Sequence, residues 1–162
     1  MKKRYCITLI IIGVIILFSI IILSFNNINM NNALELRVPL LAKKEKTKLQ
    51  NGDFFNEEEV TKIQLSNMQL KKIEKEIQKN ENWRKESLDE KLEEKIKEHT
   101  RENIFYQIPD IKNCYWIFTN RSNGVNDKHS IEELLEDKMY YAISLGVLDI
   151  DNKTLYYYEF DR

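Results

Sequence analysis

Apolar and polar positions fall into three regimes along this chain. The first is an unbroken apolar run, YCITLIIIGVIILFSIIILSF, from Tyr5 to Phe25. At about 1.5 Å per residue a helix of this length spans roughly 31 Å, the thickness of a bilayer's hydrocarbon core. The pattern predicts a transmembrane helix with Tyr5 and Phe25 at its ends. A cleaved secretory segment has a shorter apolar core, about 7–15 residues, and ends at a small-x-small site. Here the run continues into SFNNINMNNALEL, where Ile22 stands two residues before Ser24 and Asn31 two before Ala33. No lipid-attachment cysteine follows, so a retained signal anchor is expected. Lys2, Lys3 and Arg4 precede the run, and no charge follows it until Glu35. The positive-inside rule then places residues 1–4 in the cytoplasm and the remainder outside the cell membrane, on a single pass.

The second regime is mixed. Residues 26–53 read as a stalk, composed of an asparagine-rich exit, a short patch ALELRVPLLA and a charged stretch KKEKTKLQNGD. The patch from Val38 to Ala42 is too short to span and either lies on the membrane surface or docks on the domain. The folded part is expected over residues 54–162. VTKIQLS, Val60–Ser66, reads either as a strand with Ile63 and Leu65 on one face or as the first turns of a helix from Asn56. Ser66 and Gln69 have capping-box spacing. Leu70, Ile73 and Ile77 follow at helical intervals, and the pattern fades at Asn80-Glu81-Asn82. Beyond Trp83, Ser87 and Glu90 cap a second helix carrying Leu88, Leu92 and Ile96. Its alternating charges read as a solvated face, and no heptad persists that would favour a coiled coil.

The third regime begins after Pro109, where the period changes from 3.6 to 2. CYWIFT, Cys114–Thr119, is aromatic and β-branched, as strands are. Ser130 and Glu133 suggest a short helix over Ile131–Leu135. The closing segment alternates on both arms. Ile143, Leu145 and Val147 share one face, as do Tyr156, Tyr158 and Phe160, with an Asp/Asn-rich turn in Asp149–Lys153. A loop of two or four residues sets large apolar side chains opposite each other, whereas a three-residue loop would set Leu145 against Glu159. An even loop is therefore expected, with Leu145, Val147, Tyr158 and Phe160 as a core face. Tyr140 and Tyr157 fall on the opposite face, either as a solvent-facing recognition patch or packed beneath the helices. The expected fold class is α+β. It comprises an N-terminal transmembrane helix and a small domain of two or three helices on a three- or four-stranded antiparallel sheet ending in a C-terminal β-hairpin.

Composition narrows the function classes. The chain has 162 residues and a net charge of −1. Without Lys2, Lys3 and Arg4 the balance is 22 basic against 26 acidic residues, about −4, which argues against a nucleic-acid footprint. Cys6 and Cys114 are expected on different sides of the membrane, so they cannot pair within one chain. Cys114 reads as a small buried apolar residue, with an intermolecular disulfide as the alternative.

Candidate chemistry is sparse. His99 ends a charged helix, where it suits the negative end of the dipole. His129 has Asp127 and Glu132 nearby, but no zinc spacing rule supports a metal site there. Asp149-Ile150-Asp151-Asn152 opens like a calcium loop, yet Thr154 and Phe160 stand where glycine and glutamate belong. Glu159 and Asp161 share a strand face without an assignable acid/base partner. No nucleophile-elbow, zinc, phosphate-loop or dinucleotide motif occurs. No catalytic residue, metal or cofactor is expected, and the chain reads as a non-enzyme.

The segments IPDIKNCYWIF and DIDNKTLYYYEFD resemble an uncharacterised family of small exported or membrane-anchored proteins of low-GC Gram-positive bacteria. The resemblance covers about residues 66–162 and implies a bacterial origin and a single domain. It implies no activity, cofactor or site residue. The expected function is a membrane-anchored, extracytoplasmic module that binds an envelope protein or peptide. The alternative is an accessory subunit of a membrane complex, with the anchor itself making contacts.

Overall fold

The structure, a computed structural model, describes residues 2–25, 27–50, 57–85, 111–121, 128–130 and 142–161. Helix α1 spans Lys2–Phe25, α2 Ile28–Leu34 and α3 Asn67–Ile77. Strands β1 (Lys43–Gln50), β2 (Glu57–Gln64), β3 (Cys114–Asn120), β4 (Ala142–Asp149) and β5 (Thr154–Asp161) form one antiparallel sheet in the order β1-β2-β5-β4-β3. The α+β class is therefore as the pattern indicates, with five strands among the described residues rather than three or four.

The C-terminal strand is the centre of the sheet. β5 pairs with β2 on one side and β4 on the other. Leu145 faces Tyr158 and Ile143 faces Phe160, the register of a four-residue turn, Ile150–Lys153. Within that turn Asp149 accepts hydrogen bonds from the Asn152 backbone (2.9 Å) and side chain (2.7 Å), and Lys153 takes a left-handed φ of 53°. Tyr156, Tyr157 and Tyr158 are all buried. They lie in a central strand that is covered on both faces, which explains why a chain end is so aromatic.

One expected boundary is corrected. Within the expected stalk, residues 27–50 belong to the fold, because Met30, Ala33, Leu34, Leu36 and Val38 are buried in the core. β1 hydrogen-bonds to β2 along its whole length, from Lys43 opposite Gln64 to Gln50 opposite Glu57. The charged stretch looked like a linker because an edge strand exposes most of its side chains and needs no apolar alternation. Val60–Gln64 belongs to strand β2, which resolves the strand-or-helix alternative.

The structure also decides between the two settings left open for Tyr157. The faces are both buried, and Leu145, Val147 and Tyr158 are core residues. α2 and α3, however, pack on the opposite face, with Tyr115, Ile117, Leu148, Leu155, Tyr157 and Ile63. Gly146 makes this possible, because a Cβ there would collide with Leu34 Cδ2 and stand 3.1 Å from Ile117 Cγ2. The side chain of Phe160 lies outside the described residues.

α3 is the helix its capping box announces. Ser66 Oγ accepts from Gln69 N (3.3 Å), Gln69 Oε1 accepts from Ser66 N (2.8 Å), and Leu70, Ile73 and Ile77 are buried. The helix expected after Ser87, with Leu88, Leu92 and Ile96, and the one over Ile131–Leu135 lie outside the described residues. α1 contains both expected span ends, Tyr5 and Phe25. Its side chains are described only for residues 11–22, about 18 Å of helix. Among the described residues no helix is long and apolar enough to cross a membrane.

Candidate functional site

Three polar arrangements distinguish the described surface. The first lies on the helix-bearing face. Along β2, β5 and β4 that face changes from apolar (Ile63, Leu155, Leu148) to polar (Glu59, Glu159, Ser144), because each row of the register repeats every second residue. Glu59 stands directly opposite Glu159. Two carboxylates so placed repel, and each has its own cation: Lys46 Nζ reaches Glu59 Oε1 at 2.5 Å, and Arg121 reaches Glu159 Oε1 at 2.8 Å. Beside them Ser144 Oγ and Tyr157 Oη are hydrogen-bonded at 3.2 Å. The row is charge-balanced, and no activated nucleophile adjoins it among the described residues.

The second arrangement is a node around Glu35. Glu35 follows α2 in a left-handed conformation (φ 50°) and donates its backbone N–H to Asn31 O. Its Oε2 accepts from Asn80 Nδ2 (3.0 Å) and Asn82 Nδ2 (2.9 Å), and its Oε1 lies 3.1 Å from His129 Nε2. His129 Nδ1 is 2.7 Å from the Phe118 carbonyl. Burial raises the Glu35 pKa, but the bonds from Asn82, Asn80 and His129 outweigh it and hold the carboxyl below its ordinary value. Arg84 stacks its guanidinium 5.0 Å over the Trp116 ring and bonds to the Trp116 backbone in both directions. The node therefore clamps α2, the segment after α3, β3 and the turn at His129 together.

The third is the outer edge of β1. Among the described residues no strand pairs with that edge. It carries Lys43, Lys44, Lys46 and Lys48 against one acid, Glu45. Lys43 bonds Glu45 at 2.9 Å with both side chains largely exposed.

The expected site residues fare differently. Tyr157 is no part of an exposed patch. It is 2% exposed, because helices α2 and α3 cover its face of the sheet. Tyr140 lies outside the described residues, as do His99, Asp127 and Glu132. His129 is held by Glu35, a residue 94 positions away, and by Phe118 O. No cluster of metal-ligating residues occurs among the described residues. Cys114 is buried, its Sγ 3.6 Å from Ile111 O; burial, and then the charge of Asp149, push its thiol pKa up.

Sequence reasoning missed Glu35 and the Glu59–Glu159 row. The first had no local signal. The second had one, since Asn51-Gly52 is flanked by a lysine-rich and a glutamate-rich segment, the charge pattern of a β-hairpin. No protein-family model matches this chain, and neither a curated protein nor a solved structure shows detectable similarity to it.

Proposed function

We propose that this is a single-pass membrane protein, held in the cell membrane by Tyr5–Phe25 with its N-terminus cytoplasmic, and that its extracytoplasmic domain is a non-enzymatic module binding a protein or peptide. What supports the anchor is the uncharged apolar run within α1, whose described side chains from Ile11 to Ile22 are exposed to their surroundings. Such a helix is stable in lipid and is a liability in water. The resemblance to small membrane-anchored proteins accords with this reading.

The observation that carries the binding reading is the open edge of β1. An edge strand offers unpaired backbone groups to any extended segment. Lysines on such an edge discourage association between like copies. They attract an acidic segment, whose charges complement them. The partner class is therefore a protein or peptide with an acidic, extended stretch. No cofactor enters this function.

The test places a photo-crosslinking residue at Thr47, on β1, in the full chain in its own membrane. Crosslinks to an acidic segment of a partner, lost in the double variant Lys46→Glu, Lys48→Glu, are the expected result. Crosslinks obtained from Val14 in α1, with none from Thr47, would replace this reading with that of an accessory subunit contacting its complex through the anchor. The exposed helix face is the observation favouring that second reading.

A further inference from the structure

The exposed apolar side chains of the domain gather at one end of the sheet. Outside α1, the large apolar side chains that are more than a third exposed among the described residues are Ile28, Leu40, Leu41 and Met68. Leu41 is 89% exposed and Met68 80%. They are distant in sequence, yet the register sets the segments that carry Leu40, Leu41 and Met68 at the same end of the sheet. Leu40 and Leu41 lie one residue before β1, whose first residue, Lys43, is opposite Gln64, the last residue of β2. Met68 follows four residues later, in the first turn of α3. Ile28 adjoins Asn27, whose Oδ1 accepts a hydrogen bond from Lys44 Nζ at 2.5 Å.

The same end receives the anchor. Asn27 stands two residues beyond Phe25, the end of α1, and it is buried in the domain. The chain thus passes from the apolar helix into the fold with no spacer. The Leu40-Leu41 tip is held firmly behind: Val38 is 4% exposed, its N–H bonded to Asn31 Oδ1 at 3.0 Å, and Ala42 N bonds Pro39 O at 3.3 Å. At this end of the sheet Lys43 begins β1 and bonds Glu45, Lys71 and Lys72 follow Met68 in α3, and Lys153 accepts the N–H of Leu65 at its carbonyl; all four lysines are exposed, as is Asp151 in the adjoining turn.

We propose that this end of the sheet is a membrane-contact surface, on which Leu40, Leu41 and Met68 dip into the headgroup region of the bilayer while the neighbouring lysines meet lipid phosphates. The inference rests on the anchored reading given above. Its occupant is the bilayer itself, indicated by the exit of α1 at this end and by apolar tips backed by cations, the composition of interfacial elements. It fixes how the domain stands. The β1–β2 hairpin then points away from the membrane, with Lys48 and Glu59 at the distal side.

The test uses spin labels on the full chain in nanodiscs of phosphatidylcholine and phosphatidylglycerol, in a Cys6→Ser, Cys114→Ala background. Single cysteines replace Val14, Leu41, Met68 and Lys48, all at exposed positions. Accessibility to oxygen and to a water-soluble nickel chelate gives the depth of each label. The expected result places Val14 in the hydrocarbon, Leu41 and Met68 about 5–10 Å within the interface, and Lys48 in water. Leu41 and Met68 in water with Val14 in hydrocarbon would overturn this inference and leave the anchor standing. Val14 in water would overturn the anchor, and this inference with it.

Discussion

Leu34 closes over Gly146. The last residue of α2 is wholly buried, and its Cδ2 occupies the space that any side chain at position 146 would need. Helix and sheet meet at this point because one partner has no Cβ.

Gly146→Ala is therefore an overpacking change. Leu34 is itself wholly buried, and Ile117 and Trp83 also stand close to the position of the added Cβ. The substitution should cost about 1–3 kcal/mol, read from urea unfolding of the full chain in detergent. Stability unchanged or increased would show that α2 does not sit on β4.

Trp83 supports the same helix by a hydrogen bond. Its indole Nε1 donates to Leu34 O at 2.9 Å, while Thr119 Oγ1 donates to Ala33 O at 2.7 Å. These satisfy carbonyls that a helix end otherwise leaves orphaned. Trp83→Phe keeps an apolar ring and removes the donor. The expected loss is about 1–3 kcal/mol in the same unfolding measurement, with Thr119→Val adding to it. No loss in either variant would mean that water reaches these carbonyls.

How far this was legible differs by element. The capping box at Ser66–Gln69 and the stripe Leu70, Ile73, Ile77 carried their own local signals, and α3 follows them. The β4–β5 register was narrowed to two choices because an odd loop would set Leu145 against the charge of Glu159, and one of these is observed. α2 was obscured because asparagines dilute its pattern, although Met30, Ala33 and Leu34 have helical spacing. The face chosen by the helices was not legible, since β4 and β5 are apolar on both sides. The Glu35–His129 contact depends on long-range packing that no local pattern encodes.

Glu35 confers a pH dependence whose direction is fixed. Its carboxyl titrates in the folded state below the ordinary value of 4.5, through the donors Asn82, Asn80 and His129. The stability it adds is fully present above about pH 4.5 and is lost as the pH falls through the lower, folded-state value. Glu35→Gln lacks this contribution. Unfolding curves of the two proteins should therefore differ by a constant amount near neutrality and converge on acidification. A gap that widens on acidification would contradict the clamp.

Cys114 should be chemically quiet. Its thiol is buried beside Asp149, and burial keeps it protonated. In a Cys6→Ser chain, an aromatic disulfide reagent at pH 8 should react with Cys114 only after denaturation. Rapid reaction of the native protein, or a disulfide-linked dimer on a non-reducing gel, would contradict the buried setting.

The central structural claim is that the fold begins where α1 ends, so that no stalk separates the apolar helix from the domain. Hydrogen–deuterium exchange of the full chain in nanodiscs tests it directly. The backbone amides of residues 30–36 should be protected to within about tenfold of those of β4 and β5, because Met30, Ala33 and Leu34 are locked under Trp83 and against Gly146. Complete exchange of residues 30–36 within seconds, with β4 and β5 still protected, would restore the stalk and contradict the claim.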